Sequence, residues 1–477
     1  MDAATFRQYA HEVVNMMADY LQNIEQYPVK AQVKPGKILA QLPPNAPMQP
    51  ENMAQILADF TQIIMPGITH WQHPKFFAYF PANSSYPSLL AEMLTATLAA
   101  QCMLWDTSPA AAELEERMLD WLKQLTGLPQ SWHGVIYDGA STATLSALLM
   151  ARERHTHFTT NANGLHQAPQ FRVYTSAEAH SSVEKAAKMA GIGQKNVVKI
   201  PTDEQFRLNP IALQAAIQSD LEQQLTPLCV VATLGTTGCT AIDSLPDITP
   251  ICNKFNLWLH VDAAYAGTVL LLPDYRWMIQ GIEQADSYVF NPHKWMFTNF
   301  DCSAFYVKDK QTLLQTFTVL PEYLKTQWQN GVNNYADWGP QLGRRFRALK
   351  LWFVLRSYGA QQLQNTVRHH LTLARQLAQE MQQTPWIEIL APVTLNLICF
   401  RAVPPQLAGN QTALNNFNAT FMANLNQTGK LYLSHTKLRG NYSLRMVTGQ
   451  TRLTERHLTE AWQQIQETYA HTLAELA

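Results

Sequence analysis

Short apolar runs that alternate with helical stretches are the feature of this sequence that most restricts its fold. They lie between residues 134 and 307, and their sequences are GVIYDG, FRVYTS, LCVVATLG, LWLHVDA, SYVFN and SAFYV. Continuous apolar strands separated by helices are typical of a mostly parallel sheet that is covered by helices on both faces. The sequence therefore predicts an α/β fold for the central part of the chain.

The helix that precedes the first of these strands has clearly marked ends. Ser108 can cap its amino terminus, Pro109 suits its first position, and Gly127 with Pro129 marks its end. We therefore expect a helix that begins at Pro109 and stops at Gly127.

The 477 residues are predicted to form three parts, 1–85, 86–360 and 361–477. The first part has helical patterns and a proline-rich stretch but little sheet character. It cannot bury a core alone, so we expect it to pack on the partner subunit of an obligate dimer. The second part is the large α/β domain. The third begins with a long helix over 361–383 and continues with strand-like and helical segments, which predicts a small α+β domain.

Composition indicates a small-molecule partner and a cytoplasmic protein. Lys and Arg number 35 against 36 Asp and Glu, so no basic surface for nucleic acid or anionic membrane is expected. The six cysteines are scattered without metal-like spacing, which favours reduced core thiols. The N-terminal stretch lacks the features of a signal peptide, and no apolar run is long enough for a membrane span.

The stretch YDGASTATLSALLMARERH combines a strand end, a glycine and a helix start. Gly139 allows a tight turn, and Ala140 and Ser141 open the helix. Free backbone N–H groups and the helix dipole at such a start bind phosphate, and Ser141 can add a hydroxyl donor. An ordinary capped helix has the same pattern, so this stretch alone identifies no ligand.

Two ionisable side chains follow apolar strands directly. Asp262 lies in LWLHVDAAYAG, and Lys294 lies in VFNPHKWMFTNFDCSAFYV between two strands. Burying either charge without a partner is costly. Taken singly, a helix-capping aspartate and a lysine that reaches solvent are simpler explanations. His180 follows the strand FRVYTS and is expected at the same end of the sheet, although a solitary histidine is usually an ordinary packed residue.

Together these residues predict a pyridoxal phosphate site. The helix start after Gly139 would hold the phosphate, and Asp262 would pair with the protonated pyridine nitrogen. Lys294 would form the Schiff base, and His180 would stack on the ring. A lysine that is covalently consumed in this way explains its place between two core strands.

Several longer motifs carry a resemblance to a known family. The motifs are VDAAYAG, NPHKW, AHSSVEKA, HPKFFAYFPANSSYP, SPAAAELE, ATLGTTGCTAID and LGRRFRALKLWFVLRSYG. They closely resemble the group II pyridoxal-phosphate-dependent amino acid decarboxylases, and most of all the aromatic-L-amino-acid decarboxylases with their tyrosine, tryptophan and DOPA relatives. The resemblance implies the aspartate aminotransferase-like fold type I and a homodimer with its active sites at the subunit interface.

The resemblance also implies roles for residues that match the family's motifs. Lys294 is similar to the internal-aldimine lysine and Asp262 to the partner of the pyridine nitrogen. Ala264 would touch the ring on which His180 stacks. The remaining cofactor-binding residues implied in this way are Ala140, Ser141, Thr237, Asn291 and His293.

Tyr335 resembles the tyrosine of the family's mobile loop, which protonates the substrate carbon through a quinonoid intermediate after carbon dioxide leaves. The surrounding WQNGVNNYADWGP is rich in Asn and Gly, as expected of a mobile loop. Related oxygen-consuming aldehyde synthases carry phenylalanine at this position or asparagine in place of the stacking histidine. Because Tyr335 and His180 are both present, decarboxylation to an arylalkylamine is favoured, with conversion to an aryl acetaldehyde as the alternative.

The resemblance implies an aromatic substrate pocket. Gly343 resembles relatives that accept large rings, whereas Ala82 replaces a threonine that is common in animal enzymes. DOPA, 5-hydroxytryptophan, tryptophan, tyrosine and phenylalanine are the expected substrates. Glutamate and histidine are disfavoured because FFAYFP is aromatic and has no cation. The complete predicted lining is Trp71, Tyr79, Phe80, Pro81, Ala82, Met103 and Gly343.

Two other classes of protein share some of these sequence features. A catalytically silent cofactor-binding protein would be expected to lack Lys294, Asp262 or His180, and all three are present. A metal-dependent hydrolase could use the histidine pairs at 155–157 and 369–370. Those pairs lie in polar helical stretches without carboxylate partners, so we expect them on the solvated surface and expect no metal.

Overall fold

The computed structural model describes residues 1–319, 321–324, 328 and 331–475. Its helices are α1 (Ala3–Gln22), α2 (Met53–Asp59), α3 (Tyr86–Leu98), α4 (Pro109–Thr126), α5 (Ala140–His155), α6 (Thr159–Asn163), α7 (Ser182–Met189), α8 (Pro210–Glu222), α9 (Leu245–Lys254), α10 (Pro292–Trp295), α11 (Lys310–Phe317), α12 (Arg347–Gln382), α13 (Gln411–Gln427) and α14 (Glu455–Ala474). Its strands are β1 (His133–Tyr137), β2 (Phe171–Ser176), β3 (Val197–Ile200), β4 (Thr226–Thr233), β5 (Trp258–Asp262), β6 (Ser287–Phe290), β7 (Ser303–Val307), β8 (Ile387–Ile389), β9 (Leu397–Ala402), β10 (Ser434–Leu438) and β11 (Asn441–Val447).

The chain forms two compact units. The larger unit, called the sheet unit below, comprises Ala82–Arg375 with Ala391–Leu397. The other, called the terminal unit, comprises Met1–Pro81, Gln376–Leu390 and Ile398–Ala477. The division into three functional parts, with the first part packed on a partner subunit, stays a prediction.

The sheet unit is built on a seven-stranded sheet of order β1-β7-β6-β5-β4-β2-β3. The strands β3, β2, β4, β5 and β6 pair in parallel. Only β7 runs against its neighbours, since it pairs antiparallel with both β6 and β1. The predicted α/β fold with a mostly parallel central sheet is confirmed, and all the apolar runs singled out in the sequence are strands.

The antiparallel β7 decides where the chain between β6 and β7 lies. A parallel neighbour would need a crossover over the face of the sheet. Because β7 reverses direction instead, the connection over 291–302 leaves and returns at one edge of the sheet, where the parallel strands have their carboxyl ends. Lys294 lies in this connection.

The core of the sheet unit forms where α5 packs on the sheet. The small side chains of Ala143 and Ala147 face the strands and allow close approach to Val231 and Phe305, all of them buried. Both the helix and the strands contribute apolar side chains to this contact. Burial against helices therefore explains why the strands are continuous apolar runs.

The predicted ends of α4 are mostly confirmed. The helix starts at Pro109 and stops at Gly127, whose φ of 77° is a left-handed conformation that glycine adopts without strain. Ser108 occupies the cap position, but its side chain makes no capping hydrogen bond, so that detail was wrong. The range of α12 joins two helices across a kink at Gly359, whose backbone is not helical, and the second of them corresponds to the long helix predicted over 361–383.

The terminal unit contains a four-stranded sheet of order β10-β11-β9-β8, with α13 and α14 packed beside it. Val29, Phe76 and Ala78 are fully buried here and pack with Tyr432. The N-terminal stretch is thus tied to the C-terminal strands of its own chain. None of the helices within the described residues is long and apolar enough to span a membrane.

Candidate active site

The carboxyl ends of the parallel strands bring most of the predicted site residues to one edge of the sheet. His180 follows β2, Thr237 follows β4, Asp262 ends β5, and Lys294 follows β6. The start of α5 lies directly after β1. In open α/β sheets, ligands bind outside the carboxyl ends of the strands. This edge is therefore the candidate site.

Asp262 is a buried carboxyl group at this edge. Its side chain is 5% exposed, and Oδ1 accepts a hydrogen bond of 2.9 Å from the backbone N–H of Ala264. The carbonyl of Ala264 in turn accepts from the backbone N–H of Asn291 at 3.0 Å. The aspartate is thus linked to the turn that carries the lysine.

Lys294 lies in the four-residue helix α10. Its backbone N–H donates to the carbonyl of Asn291 at 2.9 Å, and its own carbonyl accepts from Nδ2 of Asn83 at 2.7 Å. Desolvation lowers the pKa of Lys294 below its usual value, and the charge of Asp262 opposes that shift. A lowered pKa increases the share of neutral amine, which is the nucleophilic form.

The turn around the lysine is held by buried polar side chains. His293 is 4% exposed, and its Nδ1 accepts from the backbone N–H of Cys302 at 2.8 Å. Burial, with the nearby charge of Lys294, lowers the pKa of His293 to about 3, so the ring is neutral. Asn291 Oδ1 accepts from the hydroxyl of Ser303 at 2.6 Å. His293 and Asn291, at the start of the connection between β6 and β7, thus bind residues at its end.

His180 lies beside these groups. Its Nδ1 accepts from the backbone N–H of Ser182 at 3.1 Å, which places the ring proton on Nε2. The residue is exposed in the single chain, yet desolvation by its neighbours lowers the pKa of His180. Asp262 raises that pKa and Lys294 lowers it, so all three side chains are within electrostatic reach of one another.

Open hydrogen-bond donors mark the start of α5. The backbone N–H groups of Ala140 and Ser141 donate to no atom of the described residues, as expected for a helix start. Among the described residues other than Gly139 and its two chain neighbours, no atom lies within 4 Å of the position that a Cβ at Gly139 would occupy. Thr237, also exposed, follows β4 at the same edge. An anion can therefore approach these amides closely.

Tyr335 is buried within the sheet unit. It belongs to a short 3-10 helix, Tyr335–Trp338, and is only 2% exposed. Its ring lies 5.2 Å from that of Trp338 and 4.8 Å from the guanidinium of Arg344. The next residue, Ala336, donates its backbone N–H to the carbonyl of Met103 at 2.8 Å. The structure thus brings Tyr335 and Met103, two predicted site residues, together.

Mobility of the segment around Tyr335 stays a prediction. Residues 329 and 330 of the predicted loop lie outside the described residues. The described part is held in place, since Asn334 Oδ1 accepts from the backbone N–H of Trp105 at 2.9 Å.

The predicted pocket lining is divided between the two units. Trp71, Tyr79, Phe80 and Pro81 belong to the terminal unit, and Ala82, Met103 and Gly343 belong to the sheet unit. In the terminal unit, the rings of Trp71 and Tyr79 stack with their centroids 5.8 Å apart. The Tyr79 hydroxyl lies 3.3 Å from that of Tyr432. These exposed rings form an aromatic surface.

Sequence reasoning missed four residues that contact the predicted ones. The hydroxyl of Tyr432 lies beside that of Tyr79, and the side chain of Asn83 donates to the Lys294 carbonyl. The guanidinium of Arg344 stacks on the ring of Tyr335. The side-chain amide of Gln101 lies next to Gly343. Asn83 and Arg344 lie inside the quoted motifs PANSSYP and LGRRF, next to predicted residues, and that proximity was the available clue.

One prediction about histidines was wrong. His370 is not on the solvated surface but 1% exposed, and its Nδ1 accepts from the indole N–H of Trp295 at 3.0 Å. Within the described residues, no cluster of His, Cys, Asp and Glu could hold a metal ion.

Residues 35–403 match the sequence profile described as "Pyridoxal-dependent decarboxylase conserved domain". This chain belongs to the pyridoxal-dependent decarboxylases. It is a carboxy-lyase, its cofactor is pyridoxal 5'-phosphate, and its architecture is the fold type I of such enzymes.

Individual relatives of this decarboxylase match along nearly the whole chain. It is 42% identical to phenylacetaldehyde synthase of Arabidopsis thaliana, over 99% of this chain and 97% of the relative. It is 40% identical to aromatic-L-amino-acid decarboxylase of Rattus norvegicus, over 98% of each. The solved structure of Oryza sativa TDC with PLP and tryptamine has a TM-score of 0.96 at 33% identity and covers 99% of each chain.

The carboxyl edge of this decarboxylase fits its cofactor chemically. The open amides of Ala140 and Ser141 suit a phosphate, the buried carboxylate of Asp262 suits a cationic ring nitrogen, and Lys294 offers an amine. A phosphate-binding helix start, a carboxyl group for the ring nitrogen and an amine are therefore all present at the carboxyl edge of the sheet unit.

Proposed function

We propose that this decarboxylase converts an L-aromatic amino acid to its arylalkylamine and carbon dioxide, with Lys294 as the lysine that binds the cofactor covalently. One observation carries the assignment of the site: His180 after β2, Asp262 at the end of β5 and Lys294 after β6 all lie at the sheet edge where α5 begins. Family relatives that act on aromatic amino acids support the reaction class.

Pyridoxal phosphate, when bound, supplies a conjugated pyridine ring that takes up the electron pair left behind when carbon dioxide departs. Asp262 holds a proton at the ring nitrogen through its charge, because a buried carboxylate strongly favours a nearby cation. Ala140 and Ser141 bind the phosphate through their amides. His180 presents a flat ring and an Nε2–H donor to the substrate carboxylate.

Tyr335 supplies the proton that replaces the lost carboxyl group at Cα. Burial raises the pKa of Tyr335 well above its ordinary value, while the nearby Arg344 lowers it only in part. The phenol therefore stays protonated at neutral pH, which a general acid requires before it delivers its proton.

The segment FFAYFP, which the family resemblance assigns to the substrate pocket, is aromatic and so favours an aromatic substrate. Phe80 lies 5.4 Å from the buried guanidinium of Arg445, and Tyr432 lies 5.4 Å from Nζ of Lys30. The segment FFAYFP itself contains no cation, and these two cations of the same unit stack on aromatic rings. Glutamate belongs in any substrate panel as a comparison.

A second candidate is oxygen-consuming conversion of the amino acid to an aryl acetaldehyde. The 42% identity to a phenylacetaldehyde synthase favours it. Against it, this chain keeps Tyr335 and His180, the two positions at which the family resemblance separates the reactions.

A product assay separates these candidates. Purified enzyme with added pyridoxal phosphate is given L-DOPA, tyrosine, 5-hydroxytryptophan, tryptophan, phenylalanine and glutamate separately. We expect amine and carbon dioxide in equal amounts without hydrogen peroxide. Aldehyde, ammonia and peroxide formed in step would contradict the amine reaction, and turnover of glutamate alone would exclude an aromatic substrate.

A homodimer is part of this proposal. The terminal unit has an apolar groove of about 880 Å³ between α1 and the α2 region, with Met16, Leu57 and Phe60 in its lining. Phe60 is 43% exposed, and such a surface is typical of a contact with another subunit.

Asn83 gives a test of the lysine's position. The change Asn83→Ala removes the side chain that binds the Lys294 carbonyl, although the lysine itself remains. Losing a hydrogen bond to a buried carbonyl costs about 1–3 kcal/mol, so we expect the apparent Kd for pyridoxal phosphate to rise about tenfold. Titration of the cofactor absorbance measures it.

Ser85→Ala is the matched control for Asn83→Ala. Its hydroxyl donates to the carbonyl of Phe297 at 2.7 Å, in the same connection but beyond the lysine. We expect this variant to lower the free energy of unfolding with little change in cofactor Kd. Equal Kd values for both variants and the unmodified enzyme would contradict the positioning role of Asn83.

A further inference from the structure

Gln101 lies against Gly343, the residue expected to leave room for the substrate ring. A Cβ built on Gly343 would be 3.2 Å from Nε2 of Gln101, and the three nearest atoms all belong to this glutamine. Both residues are exposed in the single chain. The side chain of Gln101 therefore borders the space that the glycine leaves.

The orientation of the Gln101 amide follows from its partner. The backbone N–H of Arg344 lies 2.9 Å from Oε1 of Gln101. A backbone N–H can only donate, so the atom it meets is the amide oxygen and not the nitrogen. The NH₂ group is consequently on the side of Gly343, and within the described residues it donates to no other atom.

The backbone of Gln101 is fixed as well. Its carbonyl accepts from the hydroxyl of Thr107 at 2.8 Å. Two residues further on, the carbonyl of Met103 binds the segment of Tyr335. Gln101 thus belongs to a cluster within the sheet unit that also contains Gly343, Met103 and Tyr335, three residues of the proposed substrate site.

We propose that Gln101 determines substrate specificity by donating an amide N–H to a hydroxyl oxygen on the substrate ring. Gly343 provides the room, and Gln101 provides a polar group beside it. The substrate class is the ring-hydroxylated aromatic amino acids, namely tyrosine, DOPA and 5-hydroxytryptophan, in preference to phenylalanine and tryptophan. This inference rests on the proposed function.

The test is the ratio of kcat/KM for tyrosine to kcat/KM for phenylalanine, two substrates that differ by one hydroxyl. In Gln101→Leu, which keeps the approximate size but removes both polar atoms, we expect this ratio to fall about fivefold, as for loss of one hydrogen bond. The ratio of 5-hydroxytryptophan to tryptophan should fall in parallel. A fall in overall activity with both ratios unchanged would overturn the inference.

Gln341→Leu serves as the control because it makes the same change two residues from Gly343. Gln341 is exposed, and its amide nitrogen donates to Oδ2 of Asp138 at 3.4 Å. We expect both ratios to stay at their original values. A similar fall in this variant would show a general effect of the segment and overturn the specific role of Gln101.

A second measurement covers the case in which Gln101→Leu folds poorly. Gly343→Ser places a side chain against the Gln101 amide, and we expect the tyrosine to phenylalanine ratio to fall there also. Since the two residues touch, the effects of Gly343→Ser and Gln101→Ala should be non-additive in the double variant. Additive effects on the ratio would show that Gly343 and Gln101 act independently on the substrate, and they would overturn the inference. Absence of amine from every aromatic substrate in the unmodified enzyme would overturn the proposed function itself.

Discussion

Lys294→Ala is expected to abolish covalent attachment of pyridoxal phosphate and to lower the rate of decarboxylation by roughly 10³-fold or more, as for loss of a catalytic nucleophile. The lysine is the side chain at this edge whose lowered pKa favours a neutral amine. Borohydride reduction followed by mass spectrometry of the peptide containing residue 294 measures the attachment, and the product assay measures the rate.

Lys308→Ala is the matched control for this change. Lys308 follows β7, is exposed, and its Nζ donates to the carbonyl of Glu283 at 3.0 Å. It should retain both attachment and rate. Cofactor that stays covalently bound to Lys294→Ala would place the attachment on a different lysine and refute the assigned site.

Tyr335→Phe is expected to divert the product from amine to aldehyde. Phenylalanine fills the same space beside Trp338 and Arg344 but has no proton to donate. Because proton delivery of this kind contributes about 10²–10⁴-fold, amine formation should fall by about 10²-fold or more. The electron pair at Cα would then be taken by dissolved oxygen, and hydrolysis would release aldehyde and ammonia with hydrogen peroxide.

Tyr306→Phe provides the comparison for Tyr335→Phe. Tyr306 is also a buried phenol, but its hydroxyl donates to the carbonyl of Leu119 at 2.9 Å. This variant is expected to lose stability and keep amine as its product. An unchanged amine yield in Tyr335→Phe, with no peroxide, would remove Tyr335 from the proton transfer.

The central sheet, and the edge of it that carries the candidate site, could be predicted because both follow from short stretches of sequence. A strand buried on both faces must be a continuous apolar run, and polar residues directly after such runs must meet at the carboxyl ends. Asp262 and Lys294 were located by this rule alone. The helix from Pro109 to Gly127 was predicted from its end residues for the same reason.

The errors concern contacts between residues far apart in sequence. His370 was placed on the surface because its neighbours are polar, yet Trp295 binds its ring in the core. The burial of Tyr335 could not be predicted from the Asn and Gly that surround it, because Arg344 packs on its ring. That arginine is itself held by Glu115, 229 residues away, at 2.6 Å. No local pattern encodes such partners.

The reversal of direction at β7 has a consequence for how the site is assembled during folding. The contacts that fix the lysine turn, from His293 to Cys302 and from Asn291 to Ser303, span 9 and 12 residues. Closing such short loops costs little chain entropy, and local contacts form early. The bond from Asn83 to Lys294 closes a loop of 211 residues. We therefore expect the β6–β7 hairpin to shape the lysine turn before the distant segment arrives and fastens it.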